Sequence, residues 1–253
     1  MKRRLPSVPL EGPLPGAADR ALALNASYRH HAAVAVLAHA LDDAHIGRIA
    51  LVSSFGAASV VLLHMVAKLD RATPVLFLDT GKHFPETLAY QRDVTAALGL
   101  THVEVLHPDP ADLAAGDPDG ALHLKAPDRC CALRKTQPLE AALGPYDAWV
   151  TGRKRYQGGA RATLEHFETD GARIKVNPLA HWQPGDVRDY IDNNRLPRHP
   201  LVARGYPSIG CAPCTSAASD AEDARAGRWR GQDKAECGIH FQDGQATRRV
   251  RQA

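Results

Sequence analysis

The chain alternates short aliphatic and β-branched runs with longer stretches whose apolar positions recur at the helical period. "RIALVSS" (48–54), "PVLFLDT" (74–80), "HVEVL" (102–106), "DAWVTG" (147–152) and "RIKVNP" (173–178) read as strands. "SVVLLHMVAKL", "PETLAYQRDVTAAL" and "LRKTQPLEAAL" read as the helices between them, and "YRHHAAVAVLAHALDDA" as one opening helix before the first strand. Strand and helix in this alternation predict an α/β fold with a mainly parallel sheet and helices on both faces. The pattern ends near residue 197, where a tail rich in Pro, Gly and Cys begins.

Composition narrows the class without changing it. A chain of 253 residues, 44% hydrophobic and 23% charged, is long enough to bury a sizeable core. The start, "MKRRLPSVPLEGPLPGAADR", is basic but broken by prolines, so neither a signal peptide nor a transit helix is expected. "HAAVAVLAHAL" is about half the length of a membrane span. A cytoplasmic protein without a membrane anchor is expected. Net charge is only +3, yet basic residues gather in "GRKRYQGGAR" (152–161) and "RAGRWRG" (225–231). Either stretch alone also fits a solvated face or a weak nucleic-acid patch.

Position gives the first of these a sharper reading. In an open parallel sheet, ligands bind beyond the carboxyl ends of strands, where loops meet helix amino termini. Three segments fall at such ends: "SSFGAAS" (53–59), "LDTGKHFPE" (78–86) and "TGRKRYQGGAR" (151–161). Hydroxyls, glycine N–H groups and guanidinium groups at one sheet edge suit a phosphate or nucleotide. Each segment also has a plain reading, as a tight connection or, for Asp79, as a helix cap.

The chain has five cysteines: adjacent Cys130 and Cys131 in "DRCCALRK", Cys211 and Cys214 in "CAPC", and Cys237 in a polar tail. Disulfides are not expected in a reducing compartment, and adjacent cysteines bridge each other only with strain. A C-x-x-C pair with two distant cysteines supplies four thiolates, enough for tetrahedral zinc or for a [4Fe-4S] cluster, and spacing does not choose between them. A redox C-x-x-C would leave the adjacent pair unexplained. Buried core thiols sit badly with the polar flanks of Cys130 and Cys131. Most of the thirteen histidines read as surface or helix residues, and Trp149, Trp182 and Trp229 as core or tail anchors.

Taken in order, "SSFGAASVVLLHM", "LDTGKHFPETL", "CCALRK", "CAPC" and "ECGIH" resemble the assimilatory sulfonucleotide reductases, specifically the iron-sulfur adenylyl-sulfate (APS) reductase branch. The likeness runs from about residue 48 to 241. It implies an adenine-nucleotide alpha-hydrolase-like fold, a [4Fe-4S] cluster on Cys130, Cys131, Cys211 and Cys214, and reduction of APS to sulfite and AMP with electrons from thioredoxin. The phosphoadenylyl-sulfate (PAPS) branch lacks the cluster cysteines.

By the same resemblance Cys237 is the nucleophile that accepts the sulfonate, and His240 stands three positions on, where it could favour the thiolate or simply pack the tail. Ser53, Ser54 and Gly56 match a modified P-loop, Asp79 and Thr80 the "LDTG" segment, and Lys135 a lysine between cluster and substrate. Arg153 falls in an arginine-rich loop, and Arg225 and Arg228 match an R-x-x-R used on the phosphosulfate. The implied organisation is an N-terminal extension over 1–20, a nucleotide- and cluster-binding domain over 21–215, and a segment over 216–253 carrying the catalytic cysteine.

Two departures stand out. "SSFGAAS" has no acidic residue, against a magnesium-ATP reaction, and His83 stands where the family usually has an apolar residue. The alternatives are a PAPS reductase, an RNA-modifying sulfur transferase with ATP hydrolysis and salt-sensitive RNA binding, and a zinc module with structural cysteines. The reductase reading expects no nucleic-acid partner. No sequence signal separates a monomer from a homo-oligomer.

Overall fold

Residues 75–78 are Val, Leu, Phe and Leu, a run without a polar position, as expected of a strand covered on both faces. In the computed structural model this run is β2 (Val75–Leu78), buried throughout, with parallel neighbours β1 (Ile49–Ser53) and β3 (Val103–Leu106). On the far side of β1 lies β4 (Ala148–Val150), also parallel. An edge hairpin completes the sheet: β5 (Phe167–Asp170) is antiparallel to β6 (Arg173–Val176), which pairs in parallel with β4. The six-stranded order is β3-β2-β1-β4-β6-β5. The structure describes residues 15–219, 223, 225–232, 234, 236, 238, 239, 241, 242, 245 and 246. Cys237 and His240 lie outside the described residues.

All five predicted strands form, and β5 is an addition. Its sequence, "FETD", has a single apolar residue, and it lies at the edge of the sheet. Gly171 takes φ 62° in the hairpin turn, a conformation that favours glycine.

Side chains divide the sheet by period two. Leu51, Val75, Phe77, Ala148 and Val150 face one core, packed by α1 (Ala17–Tyr28), α2 (Ala33–Asp42), α3 (Ser59–Leu69), α4 (Pro85–Leu98) and α9 (Pro184–Asn193). Ala50, Leu76, Leu78 and Trp149 face the other, beneath α8 (Gln137–Leu143). Short α5 (Pro110–Gly116), α6 (Leu122–Lys125) and α7 (Pro127–Cys131) lead into α8.

Two helical predictions change in detail. The opening helix predicted over 28–44 forms as the shorter α2, packed on α3, and α1 precedes it as an addition that runs beside β5, where Asn25 hydrogen-bonds both backbone groups of Phe167. The stretch from 133 begins as one π-helical turn, Ala132–Thr136, before α8. Pro138 has no N–H to give the Arg134 carbonyl, and the Gln137 N–H reaches back to Ala132 O instead.

Strand order reverses between β1 and β4: the chain leaves β1 toward β2 and β3, and leaves β4 toward β5 and β6. A crevice must open where those connections part.

Candidate active site

A cleft of about 230 Å³ occupies that crevice, lined by the loop after β1, the loop after β4, and an arm that contributes residues 207–210 together with Asp223, Arg225, Arg228, Trp229, Glu236 and Ile239. Ser53, Ser54, Gly56, Lys135, Arg153, Arg225 and Arg228 all line it, so the fold brings together seven residues from four separate stretches of the sequence.

The loop after β1 satisfies itself with its own hydroxyls. Ser53 Oγ accepts from the Phe55 N–H at 3.2 Å, and Ser59 Oγ from the Gly56 N–H at 3.0 Å. A Cβ on Gly56 would stand 3.2 Å from Ile209 O, so glycine there lets the arm approach. Helix α3 starts at Ser59 with no side-chain cap, and Ala57, Ala58 and Ser59 line the cleft, so its amino terminus is placed to receive an anion there.

The arginine-rich loop after β4 is turned largely inward. Arg153 forms an ion pair with Glu168 and hydrogen-bonds Thr151 Oγ1 at 3.3 Å and Asn177 Oδ1 at 3.1 Å. Arg155 donates to Leu164 O at 2.6 Å and to Glu165 Oε1 at 3.0 Å. Arg161 grips Glu236 through both carboxylate oxygens, each at 2.6 Å. Lys154 is buried, donates to Gly152 O at 2.8 Å, and is pushed down to about 7 by burial and then by Arg161.

The arm presents its charge differently. The Arg228 guanidinium lies 4.3 Å from the Trp229 ring centroid, and its buried Nε has no hydrogen-bond partner. Gly210 leaves room for it, since a Cβ there would lie 2.3 Å from Arg228 Nη2. Arg225 Nη2 is 3.6 Å from Glu236 Oε2.

Beside the cleft, Cys130, Cys131, Cys211 and Cys214 line one small pocket, all as free thiols. Lys135 lines both that pocket and the cleft. Among the described residues no three His, Cys, Asp or Glu side chains converge closely enough for a single metal ion. A cluster asks for something else, thiols spread around a metal-sulfur core, and four cysteines around one pocket fit that demand. Burial alone would raise the Cys211 thiol, but Lys135, the Thr80 hydroxyl and Arg228 together bring it below its ordinary value. Burial pushes the Cys130 and Cys214 thiols up, which suits them to release protons only to a ligand.

Neither Asp79 nor Thr80 lines the cleft. The buried Thr80 Oγ1 is 3.3 Å from Cys211 Sγ, while Asp79 Oδ1 accepts from the Gly81 N–H at 2.9 Å. Arg134 braces the same corner, bonding Asp117 Oδ2 at 2.6 Å and Thr80 O at 2.8 Å. His83 lines the cleft and bonds Leu78 O at 2.8 Å through Nε2.

Sequence reasoning passed over Lys154, Arg161 as a partner of Glu236, and Gly210. Lys154 and Arg161 were visible within the basic stretch, but neither partner nor burial can be read from a charge run. Gly210 beside Cys211 carried no signal.

The chain is similar to several known proteins. It is 51% identical over 226 residues to the adenosine 5'-phosphosulfate reductase of Mesorhizobium japonicum, covering 89% of each chain. It is 51% identical over 222 residues to that of Chelativorans sp., covering 87% of this chain and 91% of the relative. The crystal structure of phosphoadenylyl-sulfate reductase from Candida auris, a phosphate complex, superposes with a TM-score of 0.67 at 27% identity, covering 83% of this chain and 100% of that one. Residues 48–217 match the phosphoadenosine phosphosulfate reductase domain, and with that match spanning the sheet, most of the cleft lining and all four pocket cysteines, the chain belongs to this family.

Proposed function

We propose that the protein reduces adenosine 5'-phosphosulfate to sulfite and AMP in sulfate assimilation, with Cys237 as nucleophile and thioredoxin as reductant. The observation that carries the reading is Lys135, which faces both the cleft and the four-cysteine pocket and so joins an anion site to a thiol site. Cys130, Cys131, Cys211 and Cys214 would hold a [4Fe-4S] cluster, which supplies a fixed charge distribution beside Lys135 when bound. A reducing, cytoplasmic setting suits thiols that are to bind a cluster. No helix among the described residues is long and apolar enough to cross a membrane.

The chain's own residues do the following work. The amino terminus of α3 and the Gly56 loop receive the nucleotide, while Lys135 and Arg228 offset negative charge at the phosphosulfate. That charge otherwise repels an incoming thiolate. The Cys237 thiolate attacks the substrate sulfur; a sulfur–sulfur bond forms, the bond to the bridging oxygen breaks, and its electron pair leaves with AMP. A thioredoxin thiolate then attacks Cys237 Sγ, sulfite departs with the bonding pair, and the second thioredoxin thiol resolves the mixed disulfide.

Intact-protein mass after anaerobic incubation with APS or PAPS, without thioredoxin, tests the proposal. Wild type is expected to gain one sulfonate with APS, and Cys237→Ser none. A gain confined to PAPS would reassign the substrate, and no gain with either nucleotide would reject the reductase reading.

A further inference from the structure

A carboxylate one residue from a thiolate nucleophile, beside a site for a phosphosulfate, is electrostatically adverse. It repels the substrate and raises the thiol pKa. Glu236 occupies that position in the chain. Its charge does not face the cleft unpaired. Arg161 Nε meets Oε1 and Nη2 meets Oε2, both at 2.6 Å, a fork-to-fork pair with side chains 9% and 12% exposed. Arg225 adds a second cation at 3.6 Å.

The pair is braced from behind. The remaining arm of Arg161 bonds Gln157 Oε1, which also accepts the Lys154 N–H at 3.1 Å, so the guanidinium is oriented by the loop that bears it. The described residues around Glu236 are tied to other walls: Lys234 pairs with Asp128 on α7, Gly238 O accepts from Thr136 Oγ1 at 3.4 Å, and Ile239 packs under the second face of the sheet. Of these contacts only the Glu236 pair reaches the arginine-rich loop.

We infer, on the strength of the proposed reductase reading, that Glu236 is a positioning residue for sulfonate transfer. Its bidentate pair with Arg161 tethers the peptide bearing Cys237 to the cleft wall. Arg161 is then a tether and not a phosphate ligand, and the substrate's charge is met by Lys135 and Arg228. The opposite role for the same geometry is competition, in which the carboxylate holds the anion's seat until substrate displaces it. The two roles differ in sign: losing a tether slows transfer and leaves binding alone, whereas losing a competitor tightens binding.

The experiment compares the holoenzyme with Glu236→Gln, Glu236→Asp, Arg161→Ala and the double variant Glu236→Gln/Arg161→Ala. AMP affinity is measured by calorimetry, and the single-turnover rate of Cys237 sulfonation from APS by quenched-flow mass spectrometry. Glu236→Gln is expected to bind AMP within about two-fold of wild type and to transfer about 30-fold more slowly, the loss of one charge-assisted pair. Glu236→Asp should recover part of the rate. Arg161→Ala should show the same split, and the double variant should be no slower than Arg161→Ala, because the two residues act as one unit. Tighter AMP binding by Glu236→Gln, or a transfer rate within about three-fold of wild type, overturns the inference while leaving the reductase reading intact. A wild type that takes up no sulfonate removes both.

Discussion

In the loop after β4, guanidinium groups meet partners from the surrounding structure: Arg153 finds Glu168, Thr151 and Asn177, Arg155 finds Glu165 and a carbonyl, and Arg161 finds Glu236. In the arm carrying Arg228, the guanidinium rests on Trp229 with a buried Nε that has no partner. The two stretches look alike in composition. They differ because carboxylates, Glu168 and Glu236, stand against the Arg153 and Arg161 guanidinium groups, while Arg228 meets the face of Trp229 instead. A run of basic residues therefore does not say which cations remain for a ligand.

The largest test of this contrast is Arg153→Ala. Removing one partner leaves the Glu168 carboxylate without its guanidinium, and the variant should lose about 3 kcal/mol of stability in urea denaturation. Arg228→Ala should do the reverse, weakening APS binding by about 30-fold, roughly 2 kcal/mol, with an unchanged urea midpoint. If Arg153→Ala lost binding without losing stability, the two stretches would have exchanged roles.

Gly210→Ala sharpens the same contrast at smaller scale. The added methyl collides with the Arg228 guanidinium, so this variant should weaken APS binding by about ten-fold, in the same direction as Arg228→Ala. The smallest effect concerns Lys154, whose folded value of about 7 lies below its unfolded one. Below pH 7 both states carry the proton and the burial cost is complete. Between about pH 7 and the unfolded lysine value the unfolded chain holds more protons, so stability rises with pH. The urea midpoint of wild type should rise relative to that of Lys154→Met from pH 7 to 9. Equal slopes would show that Lys154 titrates as an exposed lysine.

Much of this architecture was legible beforehand because its signals are local. Helices α3 and α4 begin and end where "SVVLLHMVAKL" and "PETLAYQRDVTAAL" do, and the apolar run of β2 shows in four consecutive residues. The cysteine pattern anticipated four thiols around one pocket. Less legible were β5, an edge strand with little apolar content, and the π turn, which arises where the Pro138 ring cannot donate a hydrogen bond.

By itself, then, the sequence determined the strand-helix order and the inventory of groups at the strand ends, since hydrophobic period and turn chemistry act over a few residues. Tertiary structure alone decided that Thr80 serves Cys211 rather than the cleft, that Arg153 answers to Glu168, and that Arg161 holds Glu236. The partner of a charged side chain is set by which loops meet at the strand ends, and that meeting joins residues as far apart as 161 and 236.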